Sequence, residues 1–304
     1  MKIGELIKEH GSSLSFEFFP PKDEAGEAKL FQNVAQLKSF QPTFVSVTYG
    51  AGGGALKNTR QVVLRLKRET QLTAMPHLTC VDQDMDALSR ILSDYKEHGI
   101  ENVLALRGDP PKGAKEFVAP KNGFCYAIDL VKLAVSVGGY SIGVAVYPEG
   151  HIEAPSLEMD MHYTKQKIDA GADFAITQMF FDNRFFYDFL ERAEKAGIAI
   201  PIIAGILPIT DFERIMKFSQ KSGATMPDQI ARRFSQAGAS PEDAEKIAIE
   251  VATEQCADLL ENGVNYFHFY TLNQSQAVTA VVKNLALDRP GLKGGFRQSH
   301  SRKG

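Results

Sequence analysis

The sequence has almost no net charge: 34 Lys and Arg stand against 37 Asp and Glu over 304 residues, leaving −3. So balanced a chain has no bulk field to draw it onto nucleic acid or an anionic membrane, which excludes the basic-surface binders. Cysteine is scarce. Cys80, Cys125 and Cys256 are an odd number at wide spacing, so no disulfide framework or four-ligand zinc cluster can be built from them, and a reducing, cytoplasmic setting is expected. Nowhere does an apolar run reach the roughly 18 residues of a membrane span, and the opening MKIGELIKEHGSS lacks a signal-peptide core. No membrane partner is expected. Metal-binding patterns are missing too. His77 lies near Cys80, and His151 near His162, but neither H-E-x-x-H nor C-x-x-C organises them, so no metal is expected.

What is present is ordinary globular material, 44% hydrophobic and 23% charged, enough to bury a large core. Eight β-rich runs occupy residues 14–19, 43–49, 74–80, 102–108, 141–148, 174–181, 201–208 and 266–273. Most follow one another at roughly thirty residues, the length of one βα unit. Between them apolar residues recur at helical spacing, as in Phe31, Val34, Leu37 and Phe40, or Leu88, Ile91, Leu92 and Tyr95. Strict alternation predicts an α/β fold, a single (β/α)8 TIM barrel over residues 1–296, followed by a polar, disordered tail over 297–304. A doubly wound sheet is the alternative, since it has the same local pattern and differs in strand order. Two wider gaps predict a long loop at 110–124 and an extra helical segment at 226–238, with Pro241 in the first turn of the next helix.

In a barrel the functional residues sit at the C-terminal ends of the strands, and polar residues are dense there. Glu17 stands among Phe16, Phe18 and Phe19. Such a setting penalises the ionised carboxylate and favours a proton donor, although pairing with a Lys or Arg of a neighbouring strand is equally open. Arg107-Gly108-Asp109 ends the fourth run and reads either as functional or as a loop salt bridge around a glycine of unusual backbone angle. His98, before Gly99, has a structural reading at a helix end. The run Gly50-Ala51-Gly52-Gly53-Gly54-Ala55 matches G-x-G-x-x-G/A, but Glu69, the candidate ribose-binding acid, falls in a basic helical stretch rather than at a strand end, which argues against a Rossmann unit. On these residues alone, a lyase or hydrolase using Glu17 and Asp109 as acid and base stands as an alternative to a cofactor enzyme, and a silent binding barrel as a third.

Seven blocks taken together resemble the methylenetetrahydrofolate reductase family: Phe16-Glu17-Phe18-Phe19-Pro20-Pro21, Val45-Ser46-Val47-Thr48-Tyr49-Gly50-Ala51, Pro76-His77-Leu78-Thr79-Cys80, Ala105-Leu106-Arg107-Gly108-Asp109, Ala175-Ile176-Thr177-Gln178, Gly205-Ile206-Leu207-Pro208 and Phe267-His268-Phe269-Tyr270-Thr271-Leu272-Asn273. The resemblance implies a (β/α)8 barrel that binds FAD at the strand C-termini. It implies ping-pong reduction of 5,10-methylenetetrahydrofolate to 5-methyltetrahydrofolate, with NADH as electron donor and NADPH as the alternative, in a chain that can form a homo-oligomer. It makes Glu17 the general acid and Asp109 a carboxylate that contacts both pterin and flavin. Flavin-contacting positions are implied at Thr48, Tyr49, Ala51, His77, Arg107, Gly108, Tyr126, Ala127, Tyr147, His151, Asp160 and Lys167. Substrate contacts are implied at Gln178, Phe212, Tyr270 and Gln274, the last standing where many relatives have Arg. Tyr163 and Gln166 likewise replace residues common in bacterial relatives.

Overall fold

A computed structural model describes residues 1–49, 55–110, 113, 116–237 and 240–287, with the backbone alone at 55–57 and 237. Ala51 and its Gly-rich loop, four residues of the loop expected at 110–124, and the tail 297–304 lie outside the described residues. The eight runs form eight parallel strands: β1 (Ser13–Phe18), β2 (Phe44–Val47), β3 (Ala74–Thr79), β4 (Asn102–Leu106), β5 (Ser141–Val146), β6 (Phe174–Thr177), β7 (Ile202–Ile206) and β8 (Tyr266–Tyr270). Each pairs with the next and β8 returns to β1, closing the barrel. That closure removes the doubly wound alternative.

Around the barrel lie α2 (Glu24–Lys38), α3 (Ala55–Thr70), α4 (Met85–Glu97), α5 (Ala127–Val137), α6 (Leu157–Asp169), α7 (Asn183–Lys195), α8 (Phe212–Ser222), α10 (Pro241–Glu261) and α11 (Gln276–Asn284). The extra segment becomes α9 (Asp228–Ala237), and Ser240 caps α10 ahead of Pro241. Helix starts follow local chemistry. Asp23, Asp84, Ser156, Asp182 and Asp211 each accept a backbone N–H of their own first turn, satisfying donors the helix cannot. His98 sits at the C-cap of α4 with Nδ1 2.8 Å from the Asp94 carbonyl, in keeping with its structural reading.

Several strands end earlier than the apolar runs suggest. Residues 178–181 and 271–273 leave the ladder, yet Phe180, Phe181 and Thr271 are buried. Apolar patterning reports burial, and at the mouth of a barrel burial outlasts strand pairing.

Side-chain alternation divides the core. Leu14, Phe16 and Phe18 join the layer between strands and helices, while Phe44, Met75, Leu104, Phe174, Ile176 and Ile203 form a second cluster with Ile3 and Ile7 of α1 (Ile3–His10). This short helix thus closes the N-terminal end of the barrel. Lys2 at its N-cap makes no side-chain cap. Instead the Ile3 N–H donates to Asn102 Oδ1 at 2.7 Å and the Gly4 N–H to Ser141 Oγ at 3.1 Å, so residues opening β4 and β5 do the capping. Ile7→Ala removes a fully buried side chain from the plug and is expected to destabilise the fold by about 2–5 kcal/mol, read from urea unfolding.

Candidate active site

Glu17 does not lie among the phenylalanines that flank it in sequence. Phe16 and Phe18 occupy the opposite face of β1, so the carboxylate enters the barrel and meets side chains of the neighbouring β8 and of β3. Its Oε2 is 3.3 Å from His268 Nε2 and 3.4 Å from His77 Nε2, and the three residues are 8%, 0% and 5% exposed. Two imidazoles therefore take the place of the Lys or Arg partner considered from sequence.

The neighbours of His268 favour one tautomer. Ser15 Oγ is 3.0 Å from the Phe267 carbonyl and 2.8 Å from His268 Nδ1. A carbonyl can only accept, so both contacts are hydrogen bonds when Ser15 donates to it and receives a proton from Nδ1–H. In that tautomer the neutral ring presents its Nε2 lone pair toward Glu17 Oε2. Ser46 Oγ, 3.5 Å from Nε2, completes the surround, and the ring stacks on Phe44. His77 is different. Desolvation lowers its pKa to about 4, against the opposing pull of Glu17, so near neutrality it is an uncharged neighbour.

Tyr270 closes the cluster over β7. Its hydroxyl donates to the Thr177 carbonyl at 2.6 Å, and a Cβ on Gly205 would stand 2.3 Å from that carbonyl and 2.8 Å from the ring. Only glycine leaves this passage open. Beyond β8, Thr271 Oγ1 donates to the Glu17 carbonyl at 2.6 Å, and the Asn273 side chain pairs with both the N–H and the C=O of Phe19, at 2.8 and 2.9 Å.

A second group of polar residues flanks the mouth on the β4 to β6 side. Arg107, just past β4, makes a bidentate pair with Glu153 rather than with Asp109. Gly108 has φ +85°, and a Cβ there would press on Val81 and Thr79, as an unusual backbone angle at that position requires. Tyr147 meets His151 edge-on at 4.7 Å. Lys167 Nζ donates to the Ala145 carbonyl at 2.6 Å, and burial pushes its pKa down to about 8 against the pull of Asp160. Burial also raises the Asp160 carboxyl and lowers the His151 imidazole.

Four polar atoms in and beside these groups are buried without a hydrogen-bond partner: Thr48 Oγ1, Thr79 Oγ1, His77 Nε2 and Asp160 Oδ2. Unpartnered buried groups each cost on the order of 1–3 kcal/mol, so the donor and acceptor set suits a polar ligand of some length. Among the described residues no three His, Cys, Asp or Glu side chains are placed to hold a metal ion.

The family model described as methylenetetrahydrofolate reductase matches residues 2–286. The chain belongs to the methylenetetrahydrofolate reductase family. It is 40% identical over 280 residues to the 5,10-methylenetetrahydrofolate reductase of Escherichia coli, covering 92% of each chain, and 40% identical to that of Pectobacterium carotovorum over 90% of each. It is 36% identical to methylenetetrahydrofolate reductase (NADH) 1 of Arabidopsis thaliana, over 94% of this chain and 50% of that one. Among solved structures it resembles 2,3-dimethylmalate lyase (TM-score 0.54, 11% identity, 98% of this chain and 88% of that one) and oxaloacetate acetylhydrolase (0.53, 10%, 94% and 84%). At such identity the likeness speaks for the barrel alone.

The positions implied by the methylenetetrahydrofolate reductase resemblance fall into distinct places. Glu17, His77 and Tyr270 form the inner cluster. Thr48 and Tyr49 follow β2, while Tyr126 and Ala127 begin α5. Asp109 is exposed beyond β4. Gln178, half-buried, lines a cleft with Tyr147, Glu149 and Met179, and exposed Gln274 lines another with Tyr270 and Leu272. Phe212 opens α8 and stacks on Phe234 of α9 at 5.0 Å. Sequence reasoning missed Ser15, Ser46, Gly205 and Glu153 and gave His268 no role. The signal for Ser15 was available: Ser13, Ser15 and Glu17 alternate with Leu14, Phe16 and Phe18, a buried polar stripe at period two.

His77 yields a pH signature. It takes up a proton near 6.5 when unfolded and near 4 when folded, so between these values the unfolded chain binds more protons and stability falls as pH drops. Urea midpoints measured from about pH 7 to 4.5 are expected to fall less steeply in His77→Asn than in the wild type.

Proposed function

We propose that the chain reduces 5,10-methylenetetrahydrofolate to 5-methyltetrahydrofolate, with FAD as the resident cofactor and NADH as electron donor, in a ping-pong cycle through one site; NADPH is the alternative donor. The observation that carries the reading is a buried carboxyl 3.3 Å from a buried histidine whose other ring nitrogen meets Ser15, inside a barrel of this family. FAD, when bound, supplies a two-electron relay that takes hydride from the nicotinamide and gives it to the folate. Thr48, Tyr49, Ala51, His77, Arg107, Gly108, Asp109, Tyr126, Ala127, Tyr147, His151, Asp160 and Lys167 are the residues proposed to hold it. The unpartnered Thr48 and Asp160 oxygens and the Arg107 and Lys167 cations suit hydroxyl and phosphate groups. The NADH in the plant relative's name favours NADH as donor.

Glu17 acts in the folate step. Its carboxyl gives a proton to a bridge nitrogen of the substrate, the C–N bond to the one-carbon unit breaks, and the resulting iminium carbon accepts the hydride. Loss of the proton leaves a carboxylate facing a neutral His268, and uptake of one proton from solvent resets the pair. His77 does not compete as an acid near neutrality, because burial holds its pKa near 4. Gln178, Phe212, Tyr270, Gln274 and Asp109 are the proposed substrate-contacting groups, with Tyr270 anchored on Thr177.

The purified protein is expected to bind FAD with yellow absorbance; failure to do so would leave an acid–base lyase or hydrolase as the better reading. In stopped flow, Glu17→Gln is expected to keep flavin reduction by NADH and slow reoxidation by methylenetetrahydrofolate at least about 100-fold, the scale of a lost general acid. Equal loss in both half-reactions would remove the assigned role. Ser15→Ala frees the His268 tautomer and is expected to slow the same half-reaction to a smaller degree. Lys167 loses its charge above pH about 8. FAD affinity is therefore expected to fall as pH rises through that value, and Lys167→Met to abolish the dependence, measured by flavin fluorescence titration.

A further inference from the structure

Arg107 and Glu153 are built to find each other. The guanidinium donates from Nη1 to Glu153 Oε2 and from Nη2 to Oε1, the latter at 2.8 Å, while Nε donates to the Gly108 carbonyl at 3.2 Å. Phe117 packs under it, 5.3 Å from ring centre to Cζ. The glutamate is placed by its own loop. Between β5 and α6 the Gly150 N–H donates to the Tyr147 carbonyl, the Glu153 N–H to His151 Nδ1 at 3.1 Å and the Ala154 N–H to the His151 carbonyl at 2.8 Å. These turns bring the carboxylate over the end of β4. Its side chain is 51% exposed, whereas that of Arg107 is 19% exposed.

The geometry bears on phosphate recognition. Carboxylate and phosphate use the same planar N–H fork of arginine, so a phosphate reaching Arg107 must displace Glu153 or share the fork with it. Displacement is feasible because the half-exposed carboxylate regains water when it is released. The carboxylate stays close after release, since the turns fix its backbone, and continues to repel an anion. We propose that Glu153 is a built-in competitor for the Arg107 fork that lowers the affinity of this mouth for the phosphate-bearing part of a flavin nucleotide. The proposal rests on the flavin reading above and deepens it, giving one acidic residue outside the implied contact set control over cofactor retention.

Titration of wild type, Glu153→Gln, Arg107→Ala and the double variant with FAD, and separately with riboflavin, which carries no phosphate, tests it by quenching of flavin fluorescence. Glu153→Gln is expected to bind FAD about five-fold more tightly, the size of an exposed ion pair, with riboflavin unchanged and with no gain in the Arg107→Ala background. Weaker or unaltered FAD binding by Glu153→Gln overturns the proposal. So does equal tightening toward riboflavin, or tightening that survives without Arg107. If wild type binds neither ligand the flavin reading itself falls, whereas FAD binding unaffected by residue 153 leaves that reading intact.

Discussion

The pairing of β8 with β1 is the constraint on which the inner cluster depends. Its register sets Ser15 opposite His268 and Glu17 opposite Tyr270, so the serine beside His268 Nδ1 and the carboxyl beside its Nε2 arrive on one face of one strand. A slip of one residue would turn Glu17 into the helix layer and bring Phe16 or Phe18 inward. Thr271 and Asn273 guard against such a slip. The Asn273 amide mimics a peptide group, giving Phe19 a donor and an acceptor where β8 has already ended, at the cost of left-handed backbone at Leu272 and Asn273 with φ 48° and 58°. Strain of this kind persists where its surroundings over-determine it.

The small net charge conceals a strongly structured field at the mouth. Arg107, Lys167 and His151 face Glu153 and Asp160, and each group's protonation depends on its neighbours and on burial. The inner cluster holds one carboxyl, two imidazoles and the hydroxyls of Ser15, Ser46 and Tyr270, with no Lys or Arg among them. The two groups thus occupy separate environments within one opening, the first buried, the second partly exposed and built of ion pairs.

Much of the fold was legible because a (β/α)8 barrel repeats its signal. Eight apolar runs, the helical spacing between them and the Ser240-Pro241 start of α10 each follow from local chemistry. Strand ends were less legible, since burial at residues 178–181 continues past the ladder. Within the site, Glu17 stood out by composition, but its surroundings were misjudged, because neighbours in sequence lie on the other face of a strand and neighbours in space come from 60 and 251 residues away. Glu153 was invisible for a related reason. Its partner Arg107 is 46 residues distant, and nothing in an exposed loop distinguishes a glutamate that pairs from one that is merely solvated.

The small helix at the bottom of the barrel also bears on how the chain folds. The caps of α1 come from Asn102 and Ser141, which lie 99 and 137 positions after the residues they cap. Until β4 and β5 exist the helix has neither its hydrogen-bond partners nor the cluster that buries Ile3 and Ile7, and a segment of eight residues is too short to persist alone in water. The N-terminus therefore docks late. A nascent chain must hold this segment undocked until β4 and β5 have emerged, and a bulky group joined ahead of it would sit against the one end of the barrel that this helix has to seal.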